Sequence, residues 1–541
     1  MGLLLIFLSV EYHNSFDTCM NGFYLLMHMY IIYVVSFLLF IICNKTIKLF
    51  AIISVSLICL KESYTGIMQL LGYKSSNHLL YAITGNFQNP GPFGGFVAVC
   101  VSLLIAYCVK ESLIYKRSNV TKLLFWFSLI TAVIGIIILP STHSRSAVLS
   151  LGCSLILLSF GTEHIRNSIL PVFKKYSILI LCGVTILGVG AYFLKKPSAD
   201  GRLFMDGISF NTICMNGWRG AGAGKFGAAY AQTQSQYFKN KIDKEGIDDL
   251  DWSVINEHDR LTADCPSNSF NEYLFFGVEE GPVFMILMLT LIIVAISVSF
   301  KKNTIWCYGL VTLSVFSFFS YPFHIRQFQI LTMILIAACI SDGRQERNKG
   351  VLIELVSMSI ALGFVVTILI IDLPVICQYG EVKKSWVSTQ KWHVHEQYEY
   401  ATEDCAKLFP FLQNDIKFLF AYGQSLNKIG EYEKSDSILR MGTEISSDPM
   451  FWNVMGNNSL ALGRYREAEE RYKHAFYIVP NRLYPLNLLA KLYYTEGDTA
   501  RFLDMADRVE TFIPKVESAS TAQLREEIRQ LKAVIILKQE Q

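Results

Sequence analysis

Long apolar segments recur through residues 1–371, and they constrain the fold more than any other feature of this sequence. A helix needs roughly 20 apolar residues to cross a bilayer, and several segments of about fifteen would need extension or tilt. The segments are 1–10, 23–43, 46–60, 92–109, 123–139, 146–160, 177–194, 282–300, 304–320, 325–341 and 351–371. With 52% apolar and 17% charged residues, the chain is predicted to be an all-α, polytopic membrane protein of about eleven transmembrane helices with a soluble part. The start, MGLLLIFLSV, lacks the basic region of a signal peptide and is interpreted as a first span.

Lysine and arginine cluster in every second connection between these segments. The clusters are Lys45 and Lys48; Lys110, Lys116, Arg117 and Lys122; Arg166, Lys174 and Lys175; Lys301 and Lys302; and Arg344, Arg347 and Lys349. Because cytoplasmic loops carry an excess of Lys and Arg, these connections are predicted to be cytoplasmic. The connections at 61–91, 140–145, 195–281 and 321–324 would then lie outside, as would the tail after residue 372. The net charge of +3 gives no indication of nucleic-acid binding.

The tail repeats one pattern at spacings of 33 and 34 residues. The recurring small residues are Gly423, Gly456 and Ala490, followed by Gly430, Gly463 and Gly497. This pattern resembles the tetratricopeptide repeat, in which small residues let two antiparallel helices pack closely. Residues 518–539 are predicted to form a capping helix. Two interpretations remain open, a concave surface for a protein partner and a stabilising appendage.

These features predict three parts. Residues 1–372 form a transmembrane domain with a large outward loop at 195–281, residues 373–415 a linker, and residues 416–541 the repeat domain. The outward loop is polar and has its own pattern of glycine, arginine and aromatic residues. Long connections of this kind usually carry function, so we expect the chemistry there.

Arginines occur near the ends of several outward connections. Arg145 follows PSTHS at the start of an apolar segment, Arg202 begins the large loop, and Arg326 lies in YPFHIRQ. An arginine at a membrane surface is costly unless it meets an anion, and its planar fork fits phosphate oxygens. The three arginines therefore favour recognition of a phosphate-bearing lipid.

Six motifs occur in a characteristic order along the chain. They are GNFQNPGPFGG, a short SR loop, GRLF, GAGAGKFGAAY, FNEYLFFGVEEG and SYPF. Together they resemble the O-antigen ligase/polymerase family of integral-membrane glycan transferases, and the resemblance covers roughly residues 60–345.

The resemblance implies a C-type glycosyltransferase in the inner membrane that acts at the periplasmic face, with the repeats on that side. Such an enzyme transfers a glycan from undecaprenyl diphosphate to a hydroxyl of a glycan, lipid or protein acceptor, with no metal or other cofactor. By resemblance, Arg145 and Arg202 would hold the donor diphosphate and stabilise it as leaving group.

The sequence departs from the family in one respect. Many members have a His just before the motif that reads FNEYL here, where it could deprotonate the acceptor, but Asn268, Ser269 and Phe270 precede this motif. The candidates for the base, ranked by proximity to the motif, are Asp264 and Glu272, followed by His258 and His324. A carboxylate can act as a base if its surroundings raise its pKa. Glu272 could instead simply favour the start of a helix.

One further pattern, in the glycine-rich connection, has a plain interpretation. The residues Gly222 to Gly227 match GxGxxG, but no βαβ unit surrounds them, so dinucleotide binding is not expected. The glycines could bring backbone close to a substrate or simply make a turn.

Besides glycan transfer, we considered transport and a non-catalytic scaffold. Transport is disfavoured because charged residues are scarce within the apolar segments.

Overall fold

The protein is helical throughout the part that the structure describes. The computed structural model describes residues 22–42, 44–114, 118–162, 166–167, 171, 193, 196–243, 255–341 and 351–539. Within these ranges there are 21 α-helices and no strand, which confirms the predicted all-α class. The first twelve helices are α1 (Gly22–Ile42), α2 (Asn44–Leu70), α3 (Pro90–Ser112), α4 (Asn119–Ile138), α5 (Arg145–Gly161), α6 (Lys196–Asn216), α7 (Phe226–Asp243), α8 (Glu257–Thr262), α9 (Glu272–Glu279), α10 (Pro282–Lys301), α11 (Trp306–Ser317) and α12 (Arg326–Ser341).

Nine further helices complete the chain. They are α13 (Val351–Val394), α14 (Tyr398–Leu412), α15 (Ile416–Lys428), α16 (Tyr432–Thr443), α17 (Met450–Ala461), α18 (Tyr465–Ile478), α19 (Tyr484–Glu496), α20 (Thr499–Thr511) and α21 (Ala519–Gln539). Helices α1–α5 and α10–α12 share one large hydrophobic core, and we call them the apolar bundle.

Three helices in the described ranges are both long and apolar enough to cross a membrane: Pro90–Ser112, Asn119–Thr142 and Pro282–Lys301. Shorter apolar helices lie at Ile31–Ile41, Arg145–Gly161, Trp306–Ser317 and Arg326–Ser341. The predicted spans at 1–10 and, apart from residue 193, at 177–194 lie outside the described residues. The total of eleven spans therefore stays a prediction.

Helix α3 lies at the centre of the apolar bundle. Of its apolar stretch 89% is buried, against 17% for α10. Two glycines permit this central position, because a Cβ on Gly94 would lie 2.7 Å from Oγ1 of Thr142 and one on Gly95 would lie 2.3 Å from the ring of Phe316. The exposed side chains of α10 are largely apolar, and a large exposed apolar surface indicates contact with a membrane or a partner.

The starts of three helices meet at one end of the apolar bundle. Side chains of Asn89 and Ser144 cap α3 and α5. Asn89 also forms a side-chain hydrogen bond with Tyr321, which precedes α12. Arg145 and Arg202 lie at the same end, so we call it the arginine end. Each helix start contributes partial positive charge there.

The polar stretch at 195–281 is mostly helical rather than an irregular loop. It contains α6 to α9, and residues 244–254 of it lie outside the described part of the chain. Helix α6 packs along α9 and α7 through a small core that includes Phe226, Tyr230 and Phe275. The stretch is thus a folded layer over the arginine end.

Residues 373–415 are largely helical, and their predicted role as a linker stays a prediction. Helix α13 continues past residue 372 to Val394, and α14 follows after a short turn. Tyr379, Val382 and Trp386 recur at helical spacing and are buried against α14 and α15. This burial keeps the segment helical although its composition changes from apolar to mixed.

Helices α15 to α20 form three successive pairs with equivalent close contacts. A Cβ on Gly423 would lie 2.5 Å from Leu439, and one on Gly456 would lie 2.3 Å from Tyr472. In both pairs the glycine of the first helix faces the residue sixteen positions later on the second. The first helix of each pair is followed by a glycine with positive φ, at Gly430, Gly463 and Gly497. The 33-residue spacing thus has a direct packing cause.

The polar stretch and the C-terminal helices pack against each other. Phe238, Ile255 and Ala263 are buried in the same hydrophobic core as Tyr472 and Leu486 of the repeats. Because they share a core, the polar stretch and the repeats lie on one side of any membrane that the apolar bundle crosses.

Candidate active site

The glycine-rich connection before α7 is fastened to the end of α9 by backbone hydrogen bonds. The N–H of Ala221 donates to the carbonyl of Val278 at 2.7 Å, and that of Gly222 to the carbonyl of Glu279 at 2.9 Å. Gly220 has φ +68°, and a Cβ there would lie 2.4 Å from the Glu279 carbonyl oxygen. The glycines therefore make a turn that needs both their conformational freedom and their lack of a side chain.

The carboxyl group of Glu279 occupies the mouth of this turn. Its Oε1 accepts from the N–H of Phe226 at 3.1 Å, and the carboxyl also accepts from the N–H of Gly224. Burial raises the pKa of Glu279 to about 7, although both donors favour the charged form. The backbone N–H groups that would suit an external anion are thus used by a carboxyl group of the chain itself.

Glu272 and His324 form an acid–imidazole pair in which the carboxyl group is buried and the imidazole is 24% exposed. Oε2 of Glu272 lies 3.5 Å from Nε2 of His324, and the Glu272 side chain is fully buried. The other oxygen accepts from the N–H of Phe323. Glu272 begins α9, and His324 lies 52 residues later along the chain, in the turn before α12. The structure therefore brings together two of the four residues considered as bases.

Burial acts on the two partners in opposite senses. It raises the pKa of Glu272 well above the ordinary carboxyl value, although backbone N–H groups of Phe323 and His324 oppose this. It lowers the pKa of His324 to about 4. Because burial disfavours both charges, both groups favour their neutral forms, with the titrating proton on the Glu272 carboxyl group. Loss of that proton leaves ionised Glu272 facing the imidazole.

Arg202, at the arginine end, contacts the segments that lead into this pair. It is on α6, where its guanidinium carbon lies 4.7 Å from the centre of the Phe270 ring. Its Nη1 donates to the carbonyl of Phe319 at 3.1 Å, and the Phe270 and Tyr321 rings are 5.6 Å apart. Phe270 and Tyr321 precede Glu272 and His324 by two and three residues, so Arg202 contacts the two chain segments that carry the acid–imidazole pair.

Two positive charges are held close together here. Burial, and secondarily the charge of Arg145, lowers the pKa of Arg202. Asp206, one turn further along α6, has its pKa raised to about 6 by burial, although Arg202 favours its charged form. The guanidinium groups of Arg145 and Arg202 repel each other, and a bound anion would relieve this repulsion.

The remaining candidates lie in other surroundings. Asp264 lies 3.3 Å from Nζ of Lys515 and its side chain is 62% exposed. The exposed His258 lies 3.9 Å from Asp200. Nη1 of Arg326 donates to Gln329 at 3.2 Å, at the start of α12. None of these contacts joins the three residues to the Glu272–His324 pair.

Glu279, Asp206 and Tyr321 were not singled out from the sequence. A signal existed for two of them, because Glu279 closes the FNEYLFFGVEEG motif and Tyr321 lies in SYPF. No signal marked Asp206. Among the described residues, no three His, Cys, Asp or Glu side chains are placed to hold a metal ion.

Comparison with known proteins adds no name to this geometry. No protein-family model matches the chain, and no curated protein matches it either.

Proposed function

We propose that this protein is an integral-membrane glycosyltransferase that transfers a glycan from undecaprenyl diphosphate to an acceptor hydroxyl. One observation carries the proposal: Arg202, close to Arg145, packs on the ring of Phe270, two residues before Glu272 of the Glu272–His324 pair. Such a site offers cations for a diphosphate and a proton acceptor for a hydroxyl. The order of the motifs along residues 60–345, which resembles the O-antigen ligase/polymerase family, supports the same function.

The donor diphosphate would bind at the arginine end. Guanidinium groups fit phosphate oxygens in a bidentate manner, and the starts of α3, α5 and α12 add partial positive charge. Arg145 and Arg202 would neutralise the charge that develops when undecaprenyl diphosphate leaves. Arg326, at the start of α12, would extend this cationic surface.

The acceptor hydroxyl would be activated by His324. Nε2 faces Glu272, so Nδ1 is the ring nitrogen that can meet a substrate. Oε2 and Nε2 are 3.5 Å apart without a hydrogen bond in the structure. On a closer approach, ionised Glu272 would accept a hydrogen bond from Nε2–H and leave the Nδ1 lone pair free to accept a proton. The acceptor oxygen then bonds to the anomeric carbon, the bond from that carbon to the phosphate oxygen breaks, and the hydroxyl proton ends on Nδ1.

We further propose the arrangement in the membrane. The Lys/Arg-rich connections are cytoplasmic, the arginine end and the polar stretch are periplasmic, and the enzyme lies in the inner membrane with about eleven spans. The helix pairs after residue 416 are tetratricopeptide repeats. Their contact with the polar stretch supports a periplasmic tail.

Reconstitution tests this function. Purified protein in lipid nanodiscs would be supplied with an undecaprenyl-diphosphate-linked glycan and candidate glycan, lipid and protein acceptors. Formation of the glycosylated acceptor together with free undecaprenyl diphosphate supports the proposal. Donor binding without turnover with any acceptor would point to a scaffold instead, and solute flux in liposomes without transfer would point to a transporter. Comparing surface glycans of a deletion strain with those of its parent would identify the acceptor class.

A further inference from the structure

Side chains from the repeats and α7 hold the segment that leads into the candidate site. We call residues 260–266 the docked segment. Nδ2 of Asn481 donates to the carbonyls of Arg260 at 2.9 Å and Ala263 at 2.8 Å. Oγ of Ser447 donates to the carbonyl of Pro266 at 2.8 Å. Nε2 of Gln234, on α7, donates to the carbonyl of Asp264 at 2.9 Å.

These contacts are shielded from water, and hydrogen bonds are donated in both directions between the docked segment and the C-terminal region. Asn481 is 4% exposed and Gln234 fully buried, and Gln234 also donates to the carbonyl of Ile478 in the repeats. In the other direction, Nη1 of Arg260 donates to the carbonyl of Ile513 at 2.9 Å. A buried carbonyl that loses its donor retains the full desolvation cost, so these bonds resist exchange with water.

The docked segment is tied to the site by a short stretch of chain. Phe270 comes four residues after Pro266, and the guanidinium group of Arg202 lies over its ring. Glu272 follows two residues later. Asn271, between them, caps α9 with its side chain. Four residues span at most about 14 Å even when fully extended, so the position of the docked segment limits where Phe270 and Glu272 can lie.

We infer that Asn481 is a positioning residue for the proposed transfer: through the docked segment, the repeats set the position of Phe270 and Glu272. The inference rests on the proposed function. It also gives the repeats a role that neither of the two earlier interpretations contains. Part of their surface binds the chain's own polar stretch rather than a separate partner, and this contact is part of building the active site.

A matched pair of variants tests the inference. Asn481→Asp removes the two hydrogen bonds that Nδ2 of Asn481 donates to the docked segment. Asn487→Asp changes an equally buried asparagine, whose Nδ2 donates to the carbonyl of Leu524 at 2.9 Å within the repeats. Both variants should destabilise the repeats, but only Asn481→Asp should release the docked segment. Ser447→Ala, which removes a single hydrogen bond, provides a milder variant should Asn481→Asp fail to fold.

Three measurements on the full-length protein separate positioning from stability. They are the rate of tryptic cleavage after Arg260, kcat for glycan transfer, and the acid limb of the pH–rate profile. For Asn481→Asp we expect faster cleavage, a fall in kcat of about tenfold or more, and an acid limb shifted to lower pH because Glu272 becomes hydrated. In Asn487→Asp, the bond after Arg260 should stay protected from trypsin, and the acid limb should match that of the wild type.

Each outcome decides between explanations. Unchanged protection of Arg260 in both Asn481→Asp and Ser447→Ala would overturn the docking role of Asn481. Faster cleavage with an unchanged kcat and acid limb would overturn the positioning role. If the wild-type protein transfers no glycan, the proposed function itself fails, and the cleavage assay still shows separately whether Asn481 holds the docked segment.

Discussion

Glu272 is both the first residue of α9 and one half of the pair with His324. The sequence left open whether it supports a helix start or performs chemistry, and its position satisfies both. A carboxylate near a helix N-terminus is stabilised by the helix dipole, yet full burial raises its pKa. A carboxyl group whose pKa is raised in this way holds its proton more tightly, which is suited to acid–base chemistry.

The pair predicts a specific pH dependence. His324 can accept a proton at Nδ1 only when Glu272 is ionised, so the transfer rate should rise with pH through the raised pKa of Glu272. In Glu272→Gln no group titrates at this position, and His324, whose pKa is lowered to about 4, is already neutral. The acid limb should therefore move to lower pH, and the plateau should fall by roughly 10²-fold.

The pH–rate profiles of both proteins check this prediction. Glu403→Gln is the control, because its exposed carboxyl pairs with Lys407 on the distant helix α14 and its loss should change neither the plateau nor the limb. An acid limb and plateau in Glu272→Gln that match the wild type would exclude Glu272 from proton transfer.

Arg202 should contribute to binding and departure of the diphosphate. A charge-assisted hydrogen bond to phosphate is worth about 1.5–3 kcal/mol, so Arg202→Ala should reduce transfer at least about tenfold. Arg202→Lys should restore only part of it, because the planar fork is lost. Initial rates of transfer measure the effect. Arg219→Ala is the control, since exposed Arg219 stacks on Trp218; an equal loss in that variant would indicate a general effect of surface charge.

At the scale of elements, the turn before α7 and the end of α9 form one unit. Gly220 and Gly281 each leave no room for a Cβ, because such an atom would lie 2.4 Å and 2.1 Å, respectively, from the nearest backbone atom. Glu279 then satisfies the N–H groups of Gly224 and Phe226 at the start of α7. Helix α9, which begins at Glu272, is thereby held at both ends.

Glu279 should make the stability of this unit depend on pH. Its pKa in the folded protein, about 7, exceeds the ordinary value of 4.5, so the folded state binds the proton more tightly. Its stabilising contribution is complete below pH 4.5 and is lost as pH rises through about 7. Glu279→Gln keeps an acceptor oxygen but removes the titration, so stability between pH 5 and 8 should become less dependent on pH.

Thermal unfolding in detergent across this pH range measures the effect. Glu279→Ala serves as a contrast, because it leaves two N–H groups without an acceptor at about 1–3 kcal/mol each and should lower Tm at every pH. An unchanged pH slope in Glu279→Gln would show that another group titrates.

At the scale of the whole molecule, the apolar bundle, the polar stretch and the repeats form a continuous structure. Helix α6 brings Arg202 to the arginine end, and the repeats dock on α7 and the docked segment. A donor bound at the arginine end would therefore lie between the apolar bundle and the polar stretch, and we propose that the repeats set the position of that stretch.

The proposed topology predicts the side of the membrane on which the repeats lie. A periplasm-active phosphatase fused at residue 400 should be active, whereas the same enzyme fused in the Lys301–Lys302 connection should be inactive. The physical basis is the alternation of Lys/Arg-rich connections. Activity restricted to the second fusion would invert the topology, and with it the side on which Arg145 and Arg202 meet their substrate.

The sequence by itself determined the features that depend on neighbours along the chain. Apolar composition and helix periodicity predicted an all-α protein, and the spacing of Gly423 and Gly456 predicted helix pairs whose close contacts the structure contains. These signals are readable because a helix repeats every 3.6 residues and a repeat unit has a fixed length. The composition change after residue 372 was a weaker guide, since α13 continues through it to bury Trp386.

Only the tertiary structure decided which distant residues meet. Proximity to the FNEYL motif ranked Asp264 beside Glu272, yet the contacts of Glu272 are with His324, 52 residues away, and those of Asp264 are with Lys515. The link from Asn481 to Ala263 spans 218 residues and has no counterpart in any local pattern. Such contacts depend on how whole helices pack, because the cost of closing a long loop grows only slowly with its length and spacing along the chain therefore does not determine the partner.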